Sequence, residues 1–224
     1  MTICIIPARS GSKRIKNKNI INFFGKPLIY YAIKTAIKSK IFKRVLVSTD
    51  SRRIKKIAIK YGAECPFLRE KKLSNDKASS KDVLIDCIKR IKSNNSKYHC
   101  LFYPTSPLIK KNDLIKAYNI IKSNKKANSL MCVSEAMSNP LRSLYIKKKN
   151  LKFKWKKYQK INSQDLQKLF YDTGSFYYFK TKEILKSKKF LLDNTIPFIL
   201  PREKSIDLND RSDLKILKLF FRNK

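Results

Sequence analysis

Apolar positions along this chain follow two alternating rhythms. Thr2–Pro7 is a short, nearly continuous apolar run that stops at the turn-rich stretch Ala8-Arg9-Ser10-Gly11-Ser12-Lys13, the pattern of a buried strand followed by a loop. From Pro27, residues Leu28, Ala32, Ile33, Ala36 and Ile37 fall at helical spacing, and Pro27 suits a first helical turn. Arg44–Ser48 reads as a second strand. Ile54, Ile57, Ala58 and Tyr61 then mark a helix closed by Gly62, and Leu84, Cys87, Ile88 and Ile91 mark another.

Residues 98–103 form a strand cut off by Pro104, after which Leu114, Tyr118 and Ile121 indicate a helix and residues 129–133 a further strand. Strand and helix therefore alternate over the first 135 residues, which predicts an α/β fold: a mostly parallel sheet flanked by helices, with ligand loops at the strand carboxyl ends. Function should gather at residues 8–19 and 103–107. The rhythm breaks over residues 138–169, where short strands flank Lys147-Lys148-Lys149-Asn150 and Lys152-Phe153-Lys154-Trp155 alternates polar with apolar, as in an inserted β-rich arm. A strand at 175–179, a short edge strand at 197–200 and a last helix carrying Leu214, Leu217, Leu219 and Phe221 complete the expected single domain of residues 1–224.

With 224 residues and 42% hydrophobic content, the chain can bury one sizeable core. No run of 18 apolar residues and no secretory signal pattern occurs, so a cytoplasmic protein without a membrane partner is expected. The five cysteines lack metal-ligand spacing and read as reduced, buried small hydrophobes. A net charge of +37 raises nucleic-acid binding as a rival reading. The lysines are spread over every helix rather than gathered into a stripe, and no RNA-binding motif is present, which argues against that rival. His99, the single histidine, lies mid-strand, so a Ser/His/Asp hydrolase is not supported.

The chemistry concentrates in the first loop. After a strand, four cationic side chains stand around a Ser-Gly-Ser turn whose backbone N–H groups can cradle phosphate oxygens, while Arg9, Lys13 and Lys18 neutralise a triphosphate. Neither GxxxxGK[ST] nor GxGxxG is present. The stretch Ala8-Arg9-Ser10-Gly11-Ser12-Lys13 through Lys18-Asn19 instead resembles the ARxGSKxxxxKN signature of the CMP-sugar synthetases for sialic, legionaminic and pseudaminic acids. Three further stretches match in order: Val47-Ser48-Thr49-Asp50, Leu68-Arg69 to Asp76-Lys77-Ala78-Ser79-Ser80, and Tyr103-Pro104-Thr105-Ser106-Pro107-Leu108.

This resemblance implies a Rossmann-like nucleotidyltransferase fold and a reaction that joins CTP to an acidic nine-carbon keto sugar. It assigns Arg9, Ser12, Lys13, Lys18 and Asn19 to the nucleotide, Arg69, Ser79 and Ser80 to the nucleotide pocket, and Tyr103, Pro104 and Thr105 to its floor near base and sugar. Ser79 and Ser80 equally suit helix N-capping. Ser205-Ile206-Asp207-Leu208-Asn209 resembles the family's Ile-Asp-x-Asp segment, so Asp207 and Asn209 would hold Mg2+, with Asn209 standing where the family carries a second carboxylate. Ile109 likewise replaces a customary arginine, and Asp50 could face the metal or cap a turn. The form Asp172-Thr173-Gly174-Ser175-Phe176-Tyr177 resembles the pseudaminic branch, while CMP-legionaminic and CMP-N-acetylneuraminic acid synthesis remain alternatives. Residues 138–169 correspond to the family's dimerisation arm, so a homodimer is implied in which Pro140, Arg142 and Lys156 could meet the substrate carboxylate. No protein general base is evident.

Overall fold

The computed structural model describes residues 2–223. Its strands are β1 (Thr2–Pro7), β2 (Asn22–Phe23), β3 (Lys26–Pro27), β4 (Arg44–Ser48), β5 (Tyr98–Phe102), β6 (Ser129–Glu135), β7 (Leu144–Lys147), β8 (Asn150–Phe153), β9 (Phe170–Lys180) and β10 (Thr195–Ile199). The helices are α1 (Ile29–Ser39), α2 (Arg52–Lys60), α3 (Ser80–Arg90), α4 (Lys111–Ser123), α5 (Thr181–Lys186) and α6 (Arg211–Arg222). Six strands form one sheet in the order β10-β6-β9-β5-β1-β4. All run parallel except β9, which is antiparallel to both β5 and β6. The expected mostly parallel sheet flanked by helices is therefore what the chain forms.

Strand periodicity divides the core. Cys4 and Ile6 of β1, with Phe176 and Tyr178 of β9, join the face covered by α1 and α4. Ile3 and Ile5, with Tyr177 and Phe179, join the face covered by α3 and α5. A third cluster, Ile15, Phe23, Leu28, Leu208 and Leu217, fastens α6 onto the first loop. All five cysteines are buried and free.

Three segments differ from the periodicity reading. Pro27 does not begin a helix: it pairs with Asn22 across a small hairpin whose turn, Phe24-Gly25, takes φ values of 48° and 77°, and α1 starts two residues later. β9 is longer than its apolar stretch, because a bulge lets residues 170–172 pair with β6 after a break in register between Met131 and Val133. The region 138–169 holds one hairpin, β7–β8, and short 3-10 turns. That hairpin turns through Lys148 and Lys149 at φ 48° and 68°, the left-handed geometry usually taken by Asn-Gly, so strand alternation rather than turn chemistry made it legible.

His99 of β5 is fully buried, with Nε2 2.9 Å from Ser93 Oγ and Nδ1 2.8 Å from Thr181 Oγ1. It joins the end of α3, β5 and the start of α5. Burial lowers its pKa to about 4, so the folded state holds the neutral ring. A histidine depressed on folding contributes stability that is fully present above its unfolded pKa and is lost as pH falls toward the folded value. Chemical denaturation should show a loss of about 3 kcal/mol from this group between about pH 6.5 and pH 4, and His99→Gln should remove that part of the slope.

Candidate functional site

At the carboxyl ends of β1, β4 and β5 the sheet opens into a cleft of about 500 Å3. This is where a mostly parallel sheet offers ligands its loops. The loop after β1 is braced at several points. Ala8 N donates to Ser48 O at 2.8 Å, and Ser10 donates through both N and Oγ to the Asp50 carboxylate at 2.8 and 2.7 Å. Asn19, nearly buried, donates from Nδ2 to Arg9 O at 2.9 Å. Asp50 and Asn19 thus hold the loop's shape at two points.

Ten of the residues singled out by sequence line this cleft together: Arg9, Ser12, Lys13, Lys18, Asn19, Arg69, Ser80, Tyr103, Pro104 and Thr105. Arg69 is buried. Its N donates to Thr49 O at 2.7 Å and its Nε to Ser74 Oγ at 3.2 Å. Burial lowers the Arg69 pKa, with Asp50 the largest charge opposing that shift. Lys18 is also lowered by burial, opposed first by Asp207, and its Nζ donates to Leu208 O at 2.9 Å. The cleft therefore contains cations held partly out of water, where each attracts an anion more strongly than a surface lysine does.

One acidic side chain faces them. Asp76 accepts from Arg9 at 2.7 Å through Oδ1 and from Lys13 at 2.7 Å through Oδ2. Its pKa is held low, first by the hydrogen bond from Lys13 and then by that from Arg9. Asp76 belongs to a quoted motif, yet its pairing with two loop cations could not be read from spacing. Arg14 and Asn75 also line the cleft without having been singled out for it.

Tyr103 closes the floor, its hydroxyl in a short hydrogen bond with Ser80 Oγ. Burial raises its pKa, the Ser80 bond opposes the shift, and the Asp172 and Asp207 carboxylates raise it further. Ser79 does not line the cleft. It caps α3, with Ser79 Oγ accepting from Asp82 N and Asp82 Oδ2 accepting from Ser79 N.

Asp207 and Asn209 lie on one side of an extended segment, as alternation requires, but outside the cleft lining. Asn209 Nδ2 donates to Asp207 Oδ2 at 2.8 Å, and Asp207 Oδ1 lies against Gly174. Gly174 has φ +59°, and a Cβ there would sit 3.7 Å from Asp207 Oδ1, so glycine suits the turn and keeps the neighbourhood of the carboxylate open. The helix cap beside this pair is Asp210, not Asn209. Among the described residues no group of three or more His, Cys, Asp or Glu side chains could hold a metal. One carboxylate and one amide oxygen nevertheless fit Mg2+, which keeps several waters and takes much of its coordination from substrate phosphates. Ile109 is buried in the core beside α1 and α4, so this position offers the cleft no charge. Pro140, Arg142 and Lys156 do not line it either, and Arg142 is tied to Ile161 O at 2.9 Å.

The family model described as cytidylyltransferase matches residues 3–207. The chain is 39% identical over 223 residues to a pseudaminic acid cytidylyltransferase of Campylobacter jejuni, covering 98% of this chain and 96% of that one. It is 33% identical to an N-acylneuraminate cytidylyltransferase of Escherichia coli, over 96% of this chain and 50% of that protein. A solved structure of CMP:2-keto-3-deoxy-manno-octonic acid synthetase complexed with CTP superposes with a TM-score of 0.74 at 13% identity, covering 99% of this chain and 98% of that one, a likeness of fold. A family match over residues 3–207, a relative of nearly equal length and a cleft at the carboxyl ends of the parallel strands agree: this chain belongs to the cytidylyltransferase family.

Proposed function

We propose that the protein activates pseudaminic acid, an acidic nine-carbon keto sugar, with CTP, giving the CMP-sugar and pyrophosphate. The observation that carries this reading is the 39% identity, across nearly the whole of both chains, to a pseudaminic acid cytidylyltransferase. The sugar's anomeric hydroxyl oxygen attacks the α-phosphorus of CTP in line, the bond to the bridging oxygen breaks, pyrophosphate leaves and the hydroxyl proton passes to solvent. Such a displacement calls chiefly for positioning and charge neutralisation.

Arg9, Lys13 and Lys18 would bind the triphosphate and the charge that develops on pyrophosphate, with Ser12 and Asn19 supporting the loop. Arg69 and Ser80 would line the nucleotide pocket, with Ser79 acting through the α3 cap, and Tyr103, Pro104 and Thr105 would form its floor. Asp207 and Asn209 would hold Mg2+, which when bound supplies charge to the α-phosphate oxygen and acidifies the attacking hydroxyl.

The reading extends to a cytoplasmic homodimer built through residues 138–169. No described helix is long and apolar enough to cross a membrane. Ile146 and Leu151 are cross-strand partners in the hairpin and are 75% and 68% exposed. A two-stranded hairpin with its apolar pair in water is poorly stable alone, which favours a second subunit covering it. Pro140, Arg142 and Lys156 would then serve the partner's sugar site.

Pyrophosphate release with CTP and Mg2+ should be supported by pseudaminic acid and not by legionaminic or N-acetylneuraminic acid. Turnover of N-acetylneuraminic acid instead would favour the reading suggested by the Escherichia coli relative. Asp207→Ala should lower kcat by about 100- to 1,000-fold, as for removal of a group that stabilises transition-state charge. Asp76 competes with phosphate for Arg9 and Lys13, so Asp76→Asn should tighten CTP binding by about two- to five-fold at low salt, the advantage fading near about 0.5 M salt. Weaker binding would show that Asp76 serves the nucleotide itself. In light scattering, Ile146→Asp combined with Leu151→Asp should convert a two-chain particle into a one-chain particle, whereas an unchanged mass would remove the hairpin from the interface.

A further inference from the structure

The register break of β9 falls between Asp172 and Tyr177, and Asp172, which pairs with Val133 beside it, carries a carboxylate that the phosphate chemistry does not use. Bulges next to functional sites commonly re-aim a side chain. Ser175 O, on this bulge, accepts from Tyr103 N at 2.8 Å, so the segment is joined directly to a cleft-lining residue. The Tyr103 and Tyr177 rings meet edge to face with centroids 5.9 Å apart. Beyond them lies Asp172, which is exposed.

Asp172 is braced through one oxygen. Its Oδ1 accepts from the Tyr177 hydroxyl at 2.5 Å and from Gly174 N at 3.0 Å. Burial, followed by the Asp172 charge, raises the Tyr177 phenol far above its ordinary value, so that hydroxyl remains a donor. Oδ2 has no hydrogen-bond partner among the described residues. The carboxylate is thereby held in one orientation, with Oδ2 directed away from its two donors.

We infer that Asp172 is a specificity-determining residue of the sugar site, its Oδ2 accepting a hydrogen bond from an amide N–H or hydroxyl of the acidic sugar. An ionised carboxylate accepts only, so it selects sugars that present a donor at this point and repels the sugar's own carboxylate, which must point toward the cations instead. Where the bound sugar shields this oxygen from water, a sugar without the donor leaves the acceptor unpaired and binds less well. The inference rests on the proposed sugar activation.

Asp172→Asn tests it with little change of shape. Two donors converge on the Oδ1 position, so the amide of the variant must put its oxygen there, and its NH2 falls where Oδ2 was. The brace survives and only the outward group changes, from acceptor to donor. With pseudaminic acid, the variant should keep its melting temperature and its KM for CTP within about twofold, while the sugar KM rises by about tenfold or more. An unchanged sugar KM would overturn the inference, as would a parallel rise in the CTP KM, which would mark a merely structural role. If the wild-type protein turns over none of the acidic sugars, the proposed activity fails and takes the inference with it. Turnover by the wild type with an indifferent Asp172→Asn defeats the inference alone.

Discussion

The site depends most on a single strand running the wrong way. β9 lies between β5 and β6 in an otherwise parallel sheet, so its chain direction brings residues 170–175 back to the end where the parallel strands finish. Its alternating aromatic residues enter both cores: Phe176 and Tyr178 on one face, Tyr177 and Phe179 on the other. Tyr178 is fully buried and its hydroxyl donates to Leu114 O at 3.0 Å, which ties the strand to α4. Burial of each such ring contributes about 1.5–3 kcal/mol, enough to hold the strand while its bulged portion departs from regular pairing. The aromatic half supplies stability, and the irregular stretch between Asp172 and Tyr177 supplies the bare Gly174 backbone beside Asp207.

The same division of labour appears on the other side of the cleft. The loop after β1 is polar and contributes little core of its own, apart from Ala8 at its start and Ile15 in the cluster beneath α6. Its shape comes from side chains anchored elsewhere, with Asp50 holding Ser10 and Asn19 holding Arg9 O. A loop held in this way can leave its cations facing a ligand. Arg9 and Lys13 rest on a carboxylate, Asp76, whose exposed ion pairs are easily exchanged for phosphate, while Lys18 and Arg69 are partly desolvated. From a chain with net charge +37, these cations are gathered in one cleft, where charge is concentrated for binding.

Much of the architecture was legible because it rests on local periodicity. The strand at Thr2–Pro7, the stripes of α2, α3 and α4 and the break after residue 135 each follow from which positions are apolar. The ligand end of the sheet followed from the alternation of strand and helix. The resemblance to the CMP-sugar synthetases supplied ten cleft-lining residues, of which Arg9, Ser12, Lys13, Lys18 and Asn19 lie together in one loop and the other five in two later motifs.

What the sequence could not decide were pairings between distant residues. Nothing in the spacing indicates that Asp76 reaches Arg9 and Lys13, that Asp50 braces Ser10, or that Asp207 lies against Gly174. The antiparallel course of β9 was also hidden, since a buried strand has the same apolar content in either direction. Its extension to residue 170 depends on a bulge that only the partner strand reveals. The sequence by itself determined the elements, the loops that bear chemistry and the chemical types of the side chains, because these are set within a few residues along the chain. Tertiary structure alone decided which carboxylate meets which cation and which carboxylate braces the first loop, because those pairings join segments tens of residues apart.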